Sequence, residues 1–160
     1  MFLVIKMNKH INFELDFSRI KDLRIKNNIS QTSIADYLNI NQSTYSKFEL
    51  NKATIPIELL NKLANYYQVS LDYLLKMTDD PSITIKHEDL DKVQIGENLK
   101  KIRKDNKLYQ ETLAQEIGTS HSLISEYESG KKLISLTYGY AICKRYQVSF
   151  DYLYGKIKRS

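Results

Sequence analysis

One stretch of this chain is written twice. Residues 29–52, ISQTSIADYLNINQSTYSKFELNK, return as residues 108–131, LYQETLAQEIGTSHSLISEYESGK. Gln31 and Gln110, Ala35 and Ala114, Ser43 and Ser122, Glu49 and Glu128, and Lys52 and Lys131 are each 79 positions apart. A constant offset without a gap marks a duplicated structural unit. Each copy has the form of two short helices joined by a tight turn, so the 160 residues divide into two small domains, each with its own modest core.

Composition narrows the class of protein. An apolar share of 42%, a charged share of 27%, five glycines and two prolines describe a helix-rich globular chain, not a disordered or fibrous one. The single cysteine, Cys143, can form no internal disulfide and cannot supply a thiol cluster for zinc; it reads as a buried helix residue in a reducing compartment. Apolar runs such as residues 2–5 are far shorter than the roughly 20 residues of a membrane helix and lack a signal-peptide cleavage pattern. The expectation is a cytoplasmic protein with no membrane partner. The net charge of +5 divides as +1 over residues 1–80 and +4 over residues 81–160. That excess suits a polyanionic partner without specifying one.

Residues 1–17 form an arm. Ile11, Phe13, Leu15 and Phe17 alternate with Asn12, Glu14 and Asp16, the period of a strand, and a lone strand must dock or pair. Ile83–Thr84–Ile85 is the other strand-like run; Met7 as an alternative start would make the first six residues dispensable. A first helix is expected over 18–27, capped by Ser18 or Asp16, with Ile20, Leu23 and Ile25 inward. Ser30 caps a second helix over 31–38, whose Ile34, Ala35 and Leu38 share one face. Asn39 and Asn51 end helices where the second copy has Gly118 and Gly130, residue types that tolerate a left-handed C-cap. Asn41 and Ser120 are N-caps for a third helix over 42–50 and 121–129. A fourth opens at Pro56, and a short fifth follows Ser70, with Ser149, Asp72 and Asp151 in matching roles. Gly139 should weaken the second copy's fourth helix by about 1 kcal/mol. Tyr45 and Ile124 are expected in the core, and Tyr66, Tyr67, Tyr73, Tyr146 and Tyr152 at packed positions. Pro81 and its acidic neighbours mark a linker within the interval 78–94, whose stretch 78–92, ~15 residues when extended, spans at most ~50 Å.

The resulting pattern is Arg24, Gln31, Ala35, Ser46, Glu49 and VSLDYL at 69–74, repeated as Arg103, Gln110, Ala114, Ser125, Glu128 and VSFDYL at 148–153. It resembles the helix-turn-helix domains of the Cro and lambda-repressor type, the xenobiotic-response-element family. The resemblance implies an all-α chain of two tandem five-helix domains, at 18–77 and 95–160, with the extended arm and linker outside them. It also implies that the third helix of each domain enters a DNA major groove. Carried over position by position, Asn41, Gln42, Ser43, Ser46 and Lys47 face DNA in the first domain, and Ser120, His121, Ser122, Ser125 and Glu126 in the second. Gln suits adenine, Lys suits guanine or a phosphate, and Glu126 repels DNA unless it accepts from a cytosine amine. His121 either reads guanine or is a neutral surface histidine. Gln31 and Gln110 open the second helix, where an amide and free backbone N–H groups can hold a phosphate. Lys52, Lys131 and Lys132 either contact phosphates or are solvated charges. Arg24 with Glu49, and Arg103 with Glu128, match the family's structural ion pairs.

Tyr109 stands where Ser30 caps the first copy, so the second copy departs from the pattern. The function implied is sequence-specific binding of a double-stranded DNA operator by a transcriptional regulator, read as a repressor, with homodimerisation open. A second class stays in view: an adaptor for another protein, such as an antitoxin or antirepressor partner, using the same fold. No catalytic constellation, metal spacing or glycine-rich phosphate loop is visible around His10, His87 and His121, so neither an enzyme nor a cofactor is expected.

Overall fold

The computed structural model describes residues 2–8, 11–81 and 88–157. It divides into two compact units, Met1–Ile5 with Glu14–Ile83 and Lys6–Phe13 with Thr84–Ser160. The described chain is helical apart from one small sheet of β1 (Leu3–Asn8) and β2 (Ile11–Leu15). Strands so close in sequence can pair only antiparallel. The alternating residues therefore have a partner in the residues that precede them; the Ile83–Ile85 run, His10 and His87 lie outside the described residues.

The first domain contains α1 (Ser18–Lys26), α2 (Gln31–Leu38), α3 (Gln42–Glu49), α4 (Ile57–Tyr67) and α5 (Leu71–Leu74). Leu15 and Phe17 from the end of the arm join Ile20, Ile34, Leu38, Tyr45, Leu60, Leu63, Leu71 and Leu74 in its core. The second contains α6 (Lys92–Asp105), α7 (Gln110–Ile117), α8 (His121–Glu128), α9 (Leu136–Tyr146) and α10 (Phe150–Leu153). Its core is built on Ile95, Leu99, Ile102, Leu113, Ile124, Ile142, Phe150 and Tyr154.

Several local expectations are corrected. Phe17, not Ser18, is the N-cap of α1, and Asp16 accepts from the Ser18 N–H (2.8 Å) one residue outside the helix. Ile25 is 54% exposed, because five positions beyond Ile20 on a 3.6-residue helix lies across the axis from the core. Tyr66 is also exposed. Asn41 occupies the N-cap of α3 without a side-chain cap bond, whereas Ser120 accepts from Leu123 N–H as expected. Pro56 is the N-cap of α4, one place before its first helical residue.

The turns repeat more completely than the sequence shows. Left-handed backbone occurs at Asn28 and Lys107, Asn39 and Gly118, Asn51 and Gly130, Gln68 and Gln147, and Lys76 and Gly155, every pair separated by the same 79 residues. Five helix endings are thus common to both domains, although only two carry Gly or Asn in both copies.

Gly139 is a packing requirement and not merely a helix weakener. A Cβ there would collide with the Tyr154 hydroxyl and lie 2.8 Å from the ring's Cε2. The space lets Tyr154 be buried, with its hydroxyl donating to the carbonyl oxygens of Ile134 (2.8 Å) and Ser135 (3.1 Å). At the same two places the first domain has Leu60 and Leu75, both buried. One pair of medium side chains has been exchanged for a small one and a large one, which keeps the volume filled.

Candidate nucleic-acid interface

In both domains the second and third helices are locked together by apolar side chains on facing sides. Ile34, Ala35 and Leu38 of α2 meet α3, which buries Tyr45 and Phe48; Leu113, Ala114 and Ile117 of α7 meet α8, which buries Ile124 and Tyr127. This leaves the opposite side of α3 to solvent, where Asn41, Gln42, Ser43 and Lys47 are exposed and Ser46 half-buried. In α8 the equivalent side presents Ser120, His121, Ser122 and Ser125, with Glu126 half-buried. Lys52 and Lys131 are exposed just beyond each helix.

The orientation of α3 is fixed from below by a chain of hydrogen bonds. Arg24 clamps Glu49 through Nε–Oε1 (2.6 Å) and Nη2–Oε2 (3.0 Å), and Nη1 donates to the Ile29 carbonyl (2.9 Å). Glu49 has a side chain only 1% exposed. Burial alone would raise its carboxyl, but hydrogen bonds from Arg24 and Gln31 outweigh that and hold it below the usual carboxylate range. Removing one partner from such a buried pair costs about 3–5 kcal/mol. Gln31 donates to Glu49 Oε2 (2.7 Å) and accepts from Gln42 Nε2 (2.6 Å). The series Arg24–Glu49–Gln31–Gln42 therefore runs from the first helix to the exposed front of α3. Gln31 thus has a role that sequence reading missed: its amide holds Gln42 in place.

The second domain repeats the base of this series and stops one residue short. Arg103 grips Glu128 through Nε–Oε1 (2.5 Å) and Nη2–Oε2 (2.9 Å), Nη1 donates to the Leu108 carbonyl (2.8 Å), and Gln110 donates to Glu128 (2.8 Å). At the front, His121 replaces Gln42. Glu126 pairs with Lys132 (2.8 Å), so this lysine balances the acid beside it, where the first domain has exposed Lys47 and a neutral Ala53. Tyr109, at the N-cap of α7, makes no cap bond and is 81% exposed.

A second tie was not legible. Arg19 donates Nη1 to the Tyr73 carbonyl (2.7 Å) and its guanidinium lies 4.2 Å over the Tyr73 ring. Asn98, 79 residues later, donates to the carbonyl of Tyr152 (2.9 Å), the residue 79 beyond Tyr73. Both fasten the first helix of a domain to its last, with different chemistry on one backbone acceptor.

Among the described residues, no group of three or more His, Cys, Asp or Glu side chains could hold a metal ion, and no helix is long and apolar enough to cross a membrane. What the two domains share is a pair of short helices joined through a left-handed residue, Asn39 or Gly118, a buried Arg–Glu clamp and an exposed side of the third helix. The family model described as helix-turn-helix matches residues 20–74 and again 99–153. The chain belongs to the helix-turn-helix family. Curated relatives include the uncharacterized HTH-type transcriptional regulator YobD of Bacillus subtilis (strain 168), 32% identical over 72 residues, which are 45% of this chain and 64% of that protein. The SPbeta prophage-derived uncharacterized HTH-type transcriptional regulator YonR of the same organism is 42% identical over 60 residues, 38% of this chain and 56% of that one. The cryptic phage CTXphi transcriptional repressor RstR of Vibrio cholerae is 25% identical over 89 residues, 56% of this chain and 78% of RstR. The chain thus spans less than two thirds of YobD and of YonR. No solved structure matches at comparable stringency.

Proposed function

We propose that this tandem helix-turn-helix chain is a sequence-specific double-stranded DNA-binding regulator acting in the cytoplasm as a repressor, with α3 as its principal reading helix. The observation that carries the reading is the hydrogen-bonded series from Arg24 to Gln42. A reading side chain gains specificity when its rotamer is fixed before DNA arrives, and Gln42 is held at the exposed first position of α3 with Ser43 and Lys47 beside it. In a major groove, Gln42 would engage adenine N6 and N7, Lys47 guanine or phosphate, and Asn41, Ser43 and Ser46 the bases or the backbone near the helix N-terminus. Lys52 would add a phosphate contact.

In the second domain, Ser120, Ser122, Ser125, Gln110 and Lys131 would serve as backbone contacts. His121 would be the better base-reading residue there, because Glu126 brings a negative charge toward DNA that its surface pair with Lys132 only partly offsets. The two domains then contribute unequally, α3 to sequence choice and α8 chiefly to affinity. The names of YobD, YonR and RstR support regulation, and that of RstR supports repression. Two domains on one chain would let a monomer cover two half-sites, and a homodimer would lengthen the site further.

The test is binding to duplex fragments from the gene's own upstream region across a salt series. Gln42→Ala should weaken the preferred fragment by about 5- to 150-fold, the worth of one bidentate base contact, and leave other fragments nearly unchanged. Equal weak affinity of the wild type for every fragment would sink the reading and favour the protein adaptor. The exposed Tyr37 and Tyr66 rings, 4.7 Å apart, are the observation on the adaptor's side.

A further inference from the structure

The C-terminal half of α6 and the turn after it carry a stripe of positive charge that the first domain lacks. Lys100, Lys104 and Lys107 follow one another at helical spacing, so they share one side of the element, and all three are exposed. Among the described residues none of the three has an ion-pair partner. Glu97 borders the stripe only at the end away from Lys107, and Lys101, four residues from both Glu97 and Asp105, belongs to a balanced neighbouring side. The equivalent first-domain positions hold Lys21, Ile25 and Asn28, a single charge.

Stability does not account for these residues. Lys107 has left-handed backbone (φ 56), which its counterpart Asn28 adopts more readily. Lys76 has the same backbone but pairs with Asp16, whereas Lys107 pairs with nothing described. Lys100 and Lys104, one turn apart, repel each other. The helix dipole favours cations in the last turn, which covers Lys104 but not Lys100. Tyr109 takes the cap position of α7 without making the bond that Ser30 makes in α2, and it is 81% exposed.

We propose that Lys100, Lys104, Lys107 and Tyr109 form a phosphate-gripping edge on the second domain, whose occupant is the duplex backbone flanking the groove that α8 enters. This rests on the DNA-binding reading above. Arg103 Nη1 holds the Leu108 carbonyl (2.8 Å), which fixes the turn carrying Lys107 and Tyr109 beside the N-terminus of α7, where Gln110 and free backbone N–H groups face a phosphate in that reading. The stripe continues this surface along α6 for ~10 Å, the axial length of about three phosphates of one strand. Lysine offers a point charge and tyrosine a hydroxyl donor, and neither requires a base edge. The edge therefore grips any sequence and supplies affinity that Glu126 takes away. An acidic protein segment would meet the same charges, but continuity with the start of α7 favours DNA.

The test uses the full chain on two duplexes, the preferred upstream fragment and an unrelated sequence of equal length. Lys100→Gln/Lys104→Gln/Lys107→Asn should make the log–log salt slope shallower by about 2.7 on both, so that between about 50 and 200 mM salt the wild type loses about 40-fold more affinity than the variant. Tyr109→Ser should weaken both duplexes about 2- to 10-fold while slowing amide exchange in the first turn of α7, since the serine restores a cap. A tyrosine kept only for structure would not move the two readouts in opposite directions. Lys101→Gln is the control and should change the slope by much less than Lys104→Gln does. A triple-variant slope superposed on the wild type's would overturn the inference and leave the Gln42 reading intact, as would a Lys101→Gln effect equal to that of Lys104→Gln. Equal wild-type affinity for both duplexes, with the slope still flattened by the triple variant, would uphold the edge and remove the sequence-specific reading. Failure of the wild type to bind either duplex overturns both, and a poly-glutamate peptide bound by the wild type but released by the triple variant would then assign the edge to an acidic protein.

Discussion

The two domains share their helix endings and their Arg–Glu clamp but differ in almost every solution to packing and charge around that frame. Where α2 and α4 meet at the surface, the first domain clusters Tyr37, Tyr66 and Tyr67 in tilted and edge-to-face contact, with ring centroids 4.7 and 5.0 Å apart. The second has Glu116, Arg145 and Tyr146 in the same three places, with Arg145 Nε 2.7 Å from Glu116 Oε2 and the Tyr146 hydroxyl donating to that same oxygen. Near the start of α1, Asp16 accepts from Ser18 N–H (2.8 Å), Asn51 (3.3 Å) and Lys76 (2.7 Å); the second domain has buried Ile95 at that position. Phe17 caps α1 where Gly96 lets α6 lie against the end of α8; a Cβ there would collide with the Tyr127 carbonyl oxygen and lie 2.9 Å from that of Glu128. The difference teaches that backbone geometry is the common constraint, while side chains exchange in compensating groups.

If the Arg–Glu clamp is a shared foundation, removing it should damage both domains alike. Arg24→Ala and Arg103→Ala should each cost about 3–5 kcal/mol in urea unfolding, and amide exchange should locate each loss in the mutated domain. Damage confined to one domain would break the equivalence. The packing comparison is sharpened by grafting: Gly139→Leu should destabilise the second domain by about 1–3 kcal/mol through overpacking. Adding Tyr154→Leu should restore part of that, because the pair then copies Leu60 and Leu75. A double-mutant cycle with no coupling between 139 and 154 would show that the exchange is not compensatory.

Asp16 gives the two domains different responses to acid. Burial would raise its carboxyl, but hydrogen bonds from Lys76, Ser18 and Asn51 outweigh it and bring it from 3.8 to about 2. A depressed carboxyl contributes stability that is complete above pH ~4 and fades as pH falls toward ~2. Asp16→Asn should therefore cost the first domain about 2 kcal/mol at pH 7 and almost nothing near pH 2, measured by residue-resolved exchange. The smallest effect is expected at the half-exposed Glu116. Glu116→Gln should cost under ~1 kcal/mol in chemical denaturation, with the difference shrinking as salt rises.

Much of this frame was legible because short-range chemistry writes it. Ser30, Ser70, Ser120 and Ser149 cap helices a few residues away, and the 79-residue offset carried the assignment between Ser70 and Ser149, while Tyr109 and Asn41, the counterparts of Ser30 and Ser120, make no side-chain cap bond. The outward residues of α3 and α8 came from the resemblance to the Cro and lambda-repressor type, carried over position by position with Tyr45 and Ile124 inside, and both of those are buried. Contacts that form only in three dimensions were hidden. Nothing local joins Gly139 to Tyr154, Arg19 to Tyr73, or Asp16 to Asn51 and Lys76. The strand β1 was hidden for another reason: residues 2–5 are continuously apolar, and a run without alternation carries no period to read. Tyr66 failed as a packed position because the first domain covers that surface with aromatic neighbours instead of burying it.

The five left-handed helix endings also bear on how such a chain can change. Each one stops a helix at a set residue and sends the backbone in a set direction, so an insertion or deletion between two of them would rotate every later side chain off its face. Substitution leaves those stops in place. The two copies could accordingly trade tyrosines for an ion pair, or leucines for glycine and tyrosine, but could not gain or lose a residue between Asn28 and Lys76 or between Lys107 and Gly155. The offset from which the duplication is recognised is thus enforced by the turns, which make each domain a ruler of fixed length on which only the markings are free to vary.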